Sequence, residues 1–289
     1  MFESVVISHP RVISSVINRG TRGVSYIRCH SFNPSIQSYD NRADSKRIRI
    51  VPSEAPTMSS LPSVYALVDG PLGEKVEDWL QDRNNISLEA AFSGEERLSE
   101  IPDEEPDLII SAGYTHIIPK EIIEVPEKGA VNLHYSYLPY ARGTNTNVWS
   151  IIDDHPAGVS IHYMVEEVDA GPIIAQREVP IYPDDNGRDL YERLIEEQFN
   201  LFTEKWVEIR DGTASTQPNP IEEGTYHRST EFDDLCQLDL DDEMTIGETV
   251  DLLRALTYPP YKNAYFTKEG EKYYVEIDIT PEEDIEDDG

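Results

Sequence analysis

Residues 132–174 read NLHYSYLPYARGTNTNVWSIIDDHPAGVSIHYMVEEVDAGPII, and the rest of the chain is organised around them. The stretch begins inside an apolar run, Ala130–His134, that is typical of a short buried strand. Because side chains alternate along a strand, Asn132 and His134 are predicted to point to the same face. A carboxamide beside an imidazole supplies one fixed donor and one titratable acid or base.

A second strand is predicted over residues 158–164, and an acidic turn, EEVDAGP, follows it at residues 166–172. Gly171 and Pro172 in this turn favour a reversal of the chain. We therefore expect Asp169 to fold back towards the predicted Asn/His pair.

The upstream sequence predicts an open α/β sheet. An apolar strand at residues 63–68 is followed by a glycine-containing turn and an amphipathic helix with Val76, Trp79 and Leu80 on one face. Strand, turn and helix in this order are how a Rossmann-like, doubly wound, mostly parallel sheet begins. The turn lacks the G-x-G-x-x-G pattern, so dinucleotide binding is not expected. The strand-like run 108–112 precedes GYTHIIP, at a strand end where open α/β sheets bind ligands.

Composition restricts the functional class. The 289 residues include 24 basic and 56 acidic residues, for a formal net charge of −32. This charge disfavours a nucleic-acid partner, and the even spread of the acids favours adaptation to high salt over an acidic interaction surface. The two cysteines are too few for a disulfide framework or a metal cluster, and no apolar run reaches the length of a membrane span. We expect a cytoplasmic protein that uses no metal.

Charge and turn residues divide the chain into five parts. Residues 1–57 carry a local charge of +4, from eight basic and four acidic residues. They are interpreted as an extension that is disordered or precedes a true start at Met58, with a transit-like or regulatory segment as the alternative. The other parts are a catalytic domain, a Gly/Thr/Pro-rich linker, a small domain and an acidic tail, at residues 58–210, 211–224, 225–280 and 281–289.

The central motif resembles a known family. The pattern N-x-H-x-S-x-L-P-x-x-x-G, followed by G-x-[ST]-x-H and D-x-G-x-I-I, is similar to that of the folate-dependent formyltransferases. The resemblance covers residues 63–180 well, and it implies the formyltransferase fold with a small C-terminal α+β or OB-like domain. It also implies a formyl donor, 10-formyltetrahydrofolate, and a primary amine as acceptor.

The resemblance assigns roles to particular residues. The implied catalytic trio is Asn132, His134 and Asp169. The implied folate-binding residues are Tyr114, Ile117, Ile118 and Gly171. Candidate acceptor-binding residues are Ser136, Tyr137, Arg142, Gly143, His162 and Tyr261.

Formyl transfer passes through an oxyanion while the amine loses a proton, so the site needs a donor and a base. We assign Asn132 as the oxyanion donor, His134 as the base and Asp169 as the group that holds the imidazole. Ile117 and Ile118 are equally consistent with packing under the sheet. Simpler interpretations also stand for two acceptor candidates: Ser136 satisfies a turn, and Arg142 pairs with a carboxylate.

The C-terminal sequence indicates one branch of the family. Residues 254–264, RALTYPPYKNA, resemble the R-x-L-x-[FY]-P-P-Y-x-x-A signature of amino-sugar formyltransferases, and residues 137–143 and 147–149 match that branch as well. The resemblance therefore implies a nucleotide-linked amino sugar as acceptor, and it allows a homodimer. Methionyl-tRNA or glycinamide-ribonucleotide formylation, a formyltetrahydrofolate hydrolase and an inactive folate binder are the alternatives.

Overall fold

The computed structural model describes residues 61–94 and 98–285. The extension predicted for residues 1–57 and the last four residues of the predicted tail lie outside them.

Residues 61–210 form β1 (Ser63–Val68), α1 (Gly70–Gln81), β2 (Ser87–Phe92), α2 (Ile101–Glu104), β3 (Leu108–Ala112), α3 (Lys120–Ile123), β4 (Ala130–His134), β5 (Arg142–Gly143), α4 (Thr146–Ile152), β6 (Gly158–Tyr163), β7 (Ile173–Glu178) and α5 (Gly187–Arg210). The following residues form β8 (Tyr226–His227), α6 (Ser229–Cys236), α7 (Ile246–Leu256), β9 (Thr257–Tyr258), β10 (Tyr261–Lys262), β11 (Tyr265–Lys268) and β12 (Glu271–Tyr274). Short 3₁₀ helices lie at Leu98–Glu100, Ile221–Glu223 and Glu282–Asp284.

A six-stranded sheet in the order β2-β1-β3-β4-β6-β7 forms the centre of the fold. The pairs among β2, β1, β3 and β4 are parallel, whereas β6 and β7 are antiparallel to their neighbours. The buried side chains form one apolar cluster with α1 and α5 and a second one with α2 and α3. This arrangement confirms the predicted α/β class and the mostly parallel sheet.

The two long helices follow from their sequences. In α1, Leu72, Val76 and Leu80 recur at four-residue spacing and are all buried. Helix α5 begins with a capping box, in which the Asn186 side chain accepts from the backbone N–H of Asp189 and the Asp189 carboxylate accepts from that of Asn186. The helix extends to Arg210, because its apolar stripe continues from Trp206 for one more turn to the buried Ile209.

The segment predicted as a linker is hydrogen-bonded to the main sheet. Ile173 at the start of β7 forms an antiparallel bridge with Gln217, with N–H to O distances of 2.9 and 2.8 Å. The buried Ala255, Leu256 and Ala264 from the C-terminal part belong to the same apolar cluster as the sheet. The division into a catalytic and a small domain stays a prediction.

The C-terminal part contains helices and two-stranded sheets, as the α+β prediction required. A capping box of Thr245 and Glu248 lies at the start of α7. Strands β11 and β12 form a hairpin, and the positive φ angles of Glu269 and Gly270 turn the chain between them. At the start of α7 the side chain of Ile246 points outward, with an exposed fraction of 84%.

Candidate active site

A cleft of about 910 Å³ lies at the carboxyl ends of β3 and β4. Loop residues 113–118 form one side, and residues from β8, α6 and the loop around Tyr258 and Tyr261 form another. Asn132, His134 and Asp169 all line it. The cleft is large enough for a drug-sized ligand.

The pairing of β4 with β6 determines which polar side chains meet in the cleft. In this antiparallel register Asn132 is opposite His162, and His134 is opposite Ser160. His134 and His162 are both buried, and their rings lie edge to face with centroids 6.3 Å apart. The register therefore adds a second imidazole to the predicted Asn/His pair.

Asp169 returns to this group, as the predicted chain reversal required. Its backbone is in the left-handed region, with φ 51°, and its carboxylate is buried. The carboxylate accepts hydrogen bonds from Asn132 Nδ2 at 3.2 Å and from the backbone N–H of Gly143 at 3.0 Å. It also lies 3.6 Å from His134 Nε2 and 3.5 Å from His162 Nε2. A carboxylate, a carboxamide and two imidazoles thus share one small volume.

The surroundings of His134 determine which ring nitrogen is free. Its Nε2 has no hydrogen-bond partner, so the bond between the ring and the backbone of Ala141 involves Nδ1. The N–H of Ala141 already donates to Thr225 Oγ1 at 2.8 Å, so the carbonyl of Ala141 is the backbone group that Nδ1 faces, and it favours a proton on Nδ1. The neutral ring therefore presents an unprotonated Nε2 towards Asp169, which is the form that a general base requires.

The charges in the site favour a neutral imidazole beside an ionised carboxylate. Burial lowers the pKa of His134 and outweighs the nearby Asp169, which acts to raise it. Burial also acts to raise the pKa of Asp169. The imidazoles of His134 and His162 and the N–H of Gly143 outweigh that effect and hold the Asp169 pKa well below its usual range. Asp169 is then available to stabilise a positive charge that forms on His134.

Both amide hydrogens of Asn132 face protein groups. One is directed at Asp169 Oδ1, and the other at His162 Nε2 at 3.3 Å. The tautomer of His162 is consistent with a hydrogen bond from Asn132. His162 Nδ1 lies 2.9 Å from the Tyr163 carbonyl oxygen and donates to it, so Nε2 is free to accept from Asn132. To act as an oxyanion donor, Asn132 must exchange one of these partners for the substrate oxygen.

The predicted folate-binding residues separate into two groups. Tyr114, Ile117 and Ile118 all line the cleft. Ile118 is buried in the second apolar cluster, as the packing interpretation proposed, whereas Ile117 is 72% exposed and does not pack under the sheet. Gly171 is not part of the cleft wall; a Cβ there would meet the Tyr163 carbonyl oxygen at 1.8 Å. The structure accounts for this glycine by a close approach of two backbone segments, and a folate contact at Gly171 stays a prediction.

The candidate acceptor-binding residues also fall into two groups, those that line the cleft and those that do not. Gly143, His162 and Tyr261 line the cleft. Ser136 and Tyr137 do not; Ser136 is completely buried, which excludes direct contact with a ligand in the cleft.

Arg142 lies outside the cleft wall as well. Its Nη1 donates to Glu167 Oε1 at 3.1 Å and to the Val168 carbonyl at 3.3 Å. The interpretation of Arg142 as a partner of a carboxylate accounts for its position, because these bonds hold the segment directly before Asp169.

Sequence reasoning missed a residue that holds Asp169 in place. Asn219, from the predicted linker, donates from Nδ2 to the backbone carbonyl of Asp169 at 2.9 Å and to that of Gly171 at 3.2 Å. The side chain that supports the left-handed turn thus lies 50 residues away along the chain. Local turn signals around Asn219 gave no indication of this contact.

Three tyrosines beside the predicted Tyr261 were missed as features of the cleft. Tyr135, Tyr191 and Tyr258 line it together with Tyr261, with neighbouring ring centroids 5.5–5.9 Å apart. Burial raises the pKa of Tyr258 to about 12, so its hydroxyl stays protonated at neutral pH. These rings offer apolar faces and neutral hydroxyl groups to a ligand.

Residues 61–94 and 98–285 contain no group of three or more His, Cys, Asp or Glu side chains that could hold a metal ion. Every helix within these ranges falls short of the length or the apolarity that a membrane crossing requires.

Comparison with protein families identifies both parts of the chain. Residues 81–205 match the formyl transferase family, and residues 231–281 match the N-formyltransferase dimerization C-terminal domain. The first match contains Asn132, His134 and Asp169.

Known proteins resemble the chain over most of its described length. A dTDP-4-amino-4,6-dideoxyglucose formyltransferase of Mycobacterium bovis is 37% identical over 192 residues, which cover 66% of this chain and 80% of the relative. The crystal structure of a 4-N formyltransferase from Francisella tularensis has a TM-score of 0.70 at 26% identity and covers 76% of this chain and 99% of its own. A formyltransferase from Anoxybacillus kamchatkensis, solved with UDP-4,6-dideoxy-4-formamido-L-AltNAc and tetrahydrofolate, has a TM-score of 0.54 at 34% identity and covers 60% of this chain and 88% of its own. The chain belongs to the formyltransferase family.

Proposed function

We propose that this protein transfers a formyl group from 10-formyltetrahydrofolate to the amine of a nucleotide-linked amino sugar. The observation that carries the proposal is the convergence of Asn132, His134 and Asp169 in one cleft. The named relatives support the acceptor class, because one acts on a dTDP-linked amino sugar and another was solved with a UDP-linked formamido sugar.

The proposed chemistry follows from the contacts in the cleft. As the amine nitrogen bonds to the formyl carbon, His134 Nε2 takes the proton that the amine loses, and the Asp169 carboxylate at 3.6 Å stabilises the resulting imidazolium. The bond between the formyl carbon and N10 of the folate then breaks, and the imidazolium returns its proton to that nitrogen as tetrahydrofolate leaves. Asn132 exchanges its 3.3 Å contact with His162 for a bond to the oxygen of the formyl group, where negative charge develops. The bond to Asp169 is retained and keeps the amide oriented.

The loop after β3 suits the folate donor. Ile117 presents a 72% exposed apolar side chain at the cleft, next to Tyr114, the peptide group of Gly113 and the carbonyl of Thr115, whose N–H donates to Asp69. A flat heteroaromatic ring that carries hydrogen-bonding groups along its edge needs this combination of apolar contact and backbone donors and acceptors. We propose that this loop contacts the pterin ring of the donor.

The acceptor assay tests the proposed function. Purified protein is supplied with 10-formyltetrahydrofolate and, in separate reactions, with a dTDP- or UDP-linked 4-amino sugar, methionyl-tRNA, glycinamide ribonucleotide or water alone. Formamide product is expected with an amino-sugar nucleotide. Transfer to tRNA or to glycinamide ribonucleotide alone would assign a different acceptor class, formate without an acceptor would assign a hydrolase, and folate binding without turnover would assign an inactive relative.

The ionisation of His134 provides a prediction about pH. Because burial lowers its pKa, the ring should remain neutral at pH 6.5, the ordinary pKa of histidine, and should take up a proton only below it. Removing the Asp169 charge by Asp169→Asn removes a raising influence and should move the midpoint lower still. Histidine ring NMR, assigned with His134→Gln, measures both midpoints; a wild-type midpoint above 6.5 would contradict the assignment of His134 as a neutral base.

We also propose that the protein forms a homodimer through α7 and the residues before it. Ile246 is 84%, Leu240 61% and Met244 42% exposed, which is a large apolar area for a protein of this charge. These residues lie within the match to the N-formyltransferase dimerization C-terminal domain. Light scattering should give twice 32.8 kDa for the wild type and 32.8 kDa for Ile246→Asp. Ile285→Asp, at an exposed isoleucine outside that match, is the control and should stay dimeric; a monomeric wild type would refute the proposal.

A further inference from the structure

Arginines in the described part of this acidic chain have bonding partners, with one exception. Arg142 pairs with Glu167, Arg193 with Asp185 and Arg254 with Asp251. Arg177, Arg188 and Arg210 pair with carboxylates as well. Arg83 donates to the Trp79 carbonyl and lies over the Trp79 ring. With 56 acidic residues against 24 basic ones, a free guanidinium is unusual here. An arginine side chain with no bonding partner of any kind therefore indicates a partner that binds from outside.

Arg228 is this exception, and it lies at the cleft. Its side chain is exposed and has no hydrogen bond, ion pair or ring contact among residues 61–94 and 98–285. Among the described residues that line the cleft, it is the one lysine or arginine. It is flanked there by Ser229 and Thr230, whose hydroxyl groups are neutral donors.

The backbone next to Arg228 is firmly held. The ring of His227 stacks on Trp149 at a centroid distance of 3.9 Å, and its two nitrogens lie 2.9 Å from Asp153 Oδ2 and 3.1 Å from Glu231 Oε2. These contacts hold the position from which the Arg228 side chain extends into the cleft.

The same strand connects Arg228 to the proposed catalytic carboxylate. The carbonyl of His227 accepts from Thr144 N at 3.2 Å, and Gly143, which pairs with His227 in the β5–β8 sheet, donates to Asp169 at 3.0 Å. The backbone that carries Arg228 is thus connected by hydrogen bonds to the backbone that holds Asp169.

Without Arg228 the cleft would repel an anion. Its other ionised side chains are Asp169 and Glu166, of which Glu166 pairs with Lys120 at 3.2 Å, and the protein as a whole carries −32. Two negative charges of a diphosphate would be unfavourable in such a field. We propose that Arg228 binds the diphosphate of the nucleotide-linked acceptor and selects for anionic acceptors, an inference that rests on the proposed function.

Binding of nucleoside diphosphates tests the inference. Calorimetry at one fixed ionic strength compares UDP and dTDP with uridine and thymidine, for wild type, Arg228→Gln, Arg228→Lys and Arg210→Gln. The last is the matched control, because it removes the same charge from an arginine that pairs with Asp211 away from the cleft.

The wild type should bind a diphosphate more tightly than its nucleoside. Arg228→Gln should weaken diphosphate binding by about ten- to a hundredfold, the usual size of a charge-assisted contact, and leave nucleoside binding unchanged. Arg228→Lys should bind a diphosphate with an affinity between those of the wild type and Arg228→Gln, because lysine keeps the charge but lacks the forked set of donors of arginine. Arg210→Gln should match the wild type.

Two results would overturn the inference: equal diphosphate binding by wild type and Arg228→Gln, or no preference of the wild type for diphosphate over nucleoside. Transfer assays with the amino-sugar nucleotide separate this failure from failure of the proposed function. Arg228→Gln should raise KM for that acceptor by a similar factor at nearly constant kcat. If the wild type formylates the amino sugar but Arg228→Gln has an unchanged KM, the function stands and the role of Arg228 is refuted.

Discussion

Replacing Asp169 with asparagine is expected to lower kcat for formyl transfer by about 10³- to 10⁴-fold, the effect of neutralising a buried carboxylate that holds a catalytic imidazole. The substitution keeps the size of the side chain and removes its charge. His134 then loses the carboxylate 3.6 Å away that stabilises its protonated form. Asn132, which donates to that carboxylate, would face the neutral amide of the new asparagine instead. Steady-state rates with saturating donor and acceptor measure the effect.

The control for this prediction is a second buried carboxylate. Asp185 accepts two bonds from Arg193, at 2.7 and 2.8 Å, and lies outside the cleft. Asp185→Asn should lower Tm because it breaks a largely buried ion pair, but it should leave kcat of the folded protein within a few-fold of wild type. An Asp169→Asn protein with near-wild-type kcat would remove Asp169 from the mechanism.

His134→Gln is expected to lower kcat by about 10²- to 10⁴-fold, the range that a positioned general base contributes. Glutamine fills a similar space and can still bond to the Ala141 carbonyl, but it cannot take a proton at neutral pH. KM for the folate donor should change little, because the donor is proposed to contact the loop after β3.

His155→Gln is the matched control for His134→Gln. His155 stacks on Tyr140 at a centroid distance of 4.6 Å and is outside the cleft wall. Its replacement should leave kcat unchanged. The same loss of activity in both variants would indicate a general effect of removing a histidine, and full activity of His134→Gln would exclude His134 as the base.

The part of the site that the sequence predicts depends on short-range rules. Alternation along one strand placed Asn132 and His134 on one face, and a Gly-Pro turn returned Asp169 towards them. Both signals act within a few residues, and in the structure the three side chains converge. The strands and helices of the sheet were predictable for the same reason, because apolar periodicity is local.

The rest of the site depends on contacts between distant segments. His162 meets Asn132 through an antiparallel register that joins residues 30 apart, and Asn219 reaches Asp169 over 50 residues. Strand direction and register are set by the packing of the whole sheet, so no local pattern reveals them. Likewise, the burial of Ser136 and the outward direction of Ile117 depend on how neighbouring elements cover them.

The most direct measurement of the central claim follows the formyl carbon itself. Donor labelled with carbon-13 in the formyl group is mixed with a nucleotide-linked 4-amino sugar and wild-type or Asp169→Asn protein, and NMR records the labelled products. The account predicts a formamide on the sugar with the wild type and almost none with Asp169→Asn over the same time. Labelled formate without formamide, or equal formamide from both proteins, would contradict it.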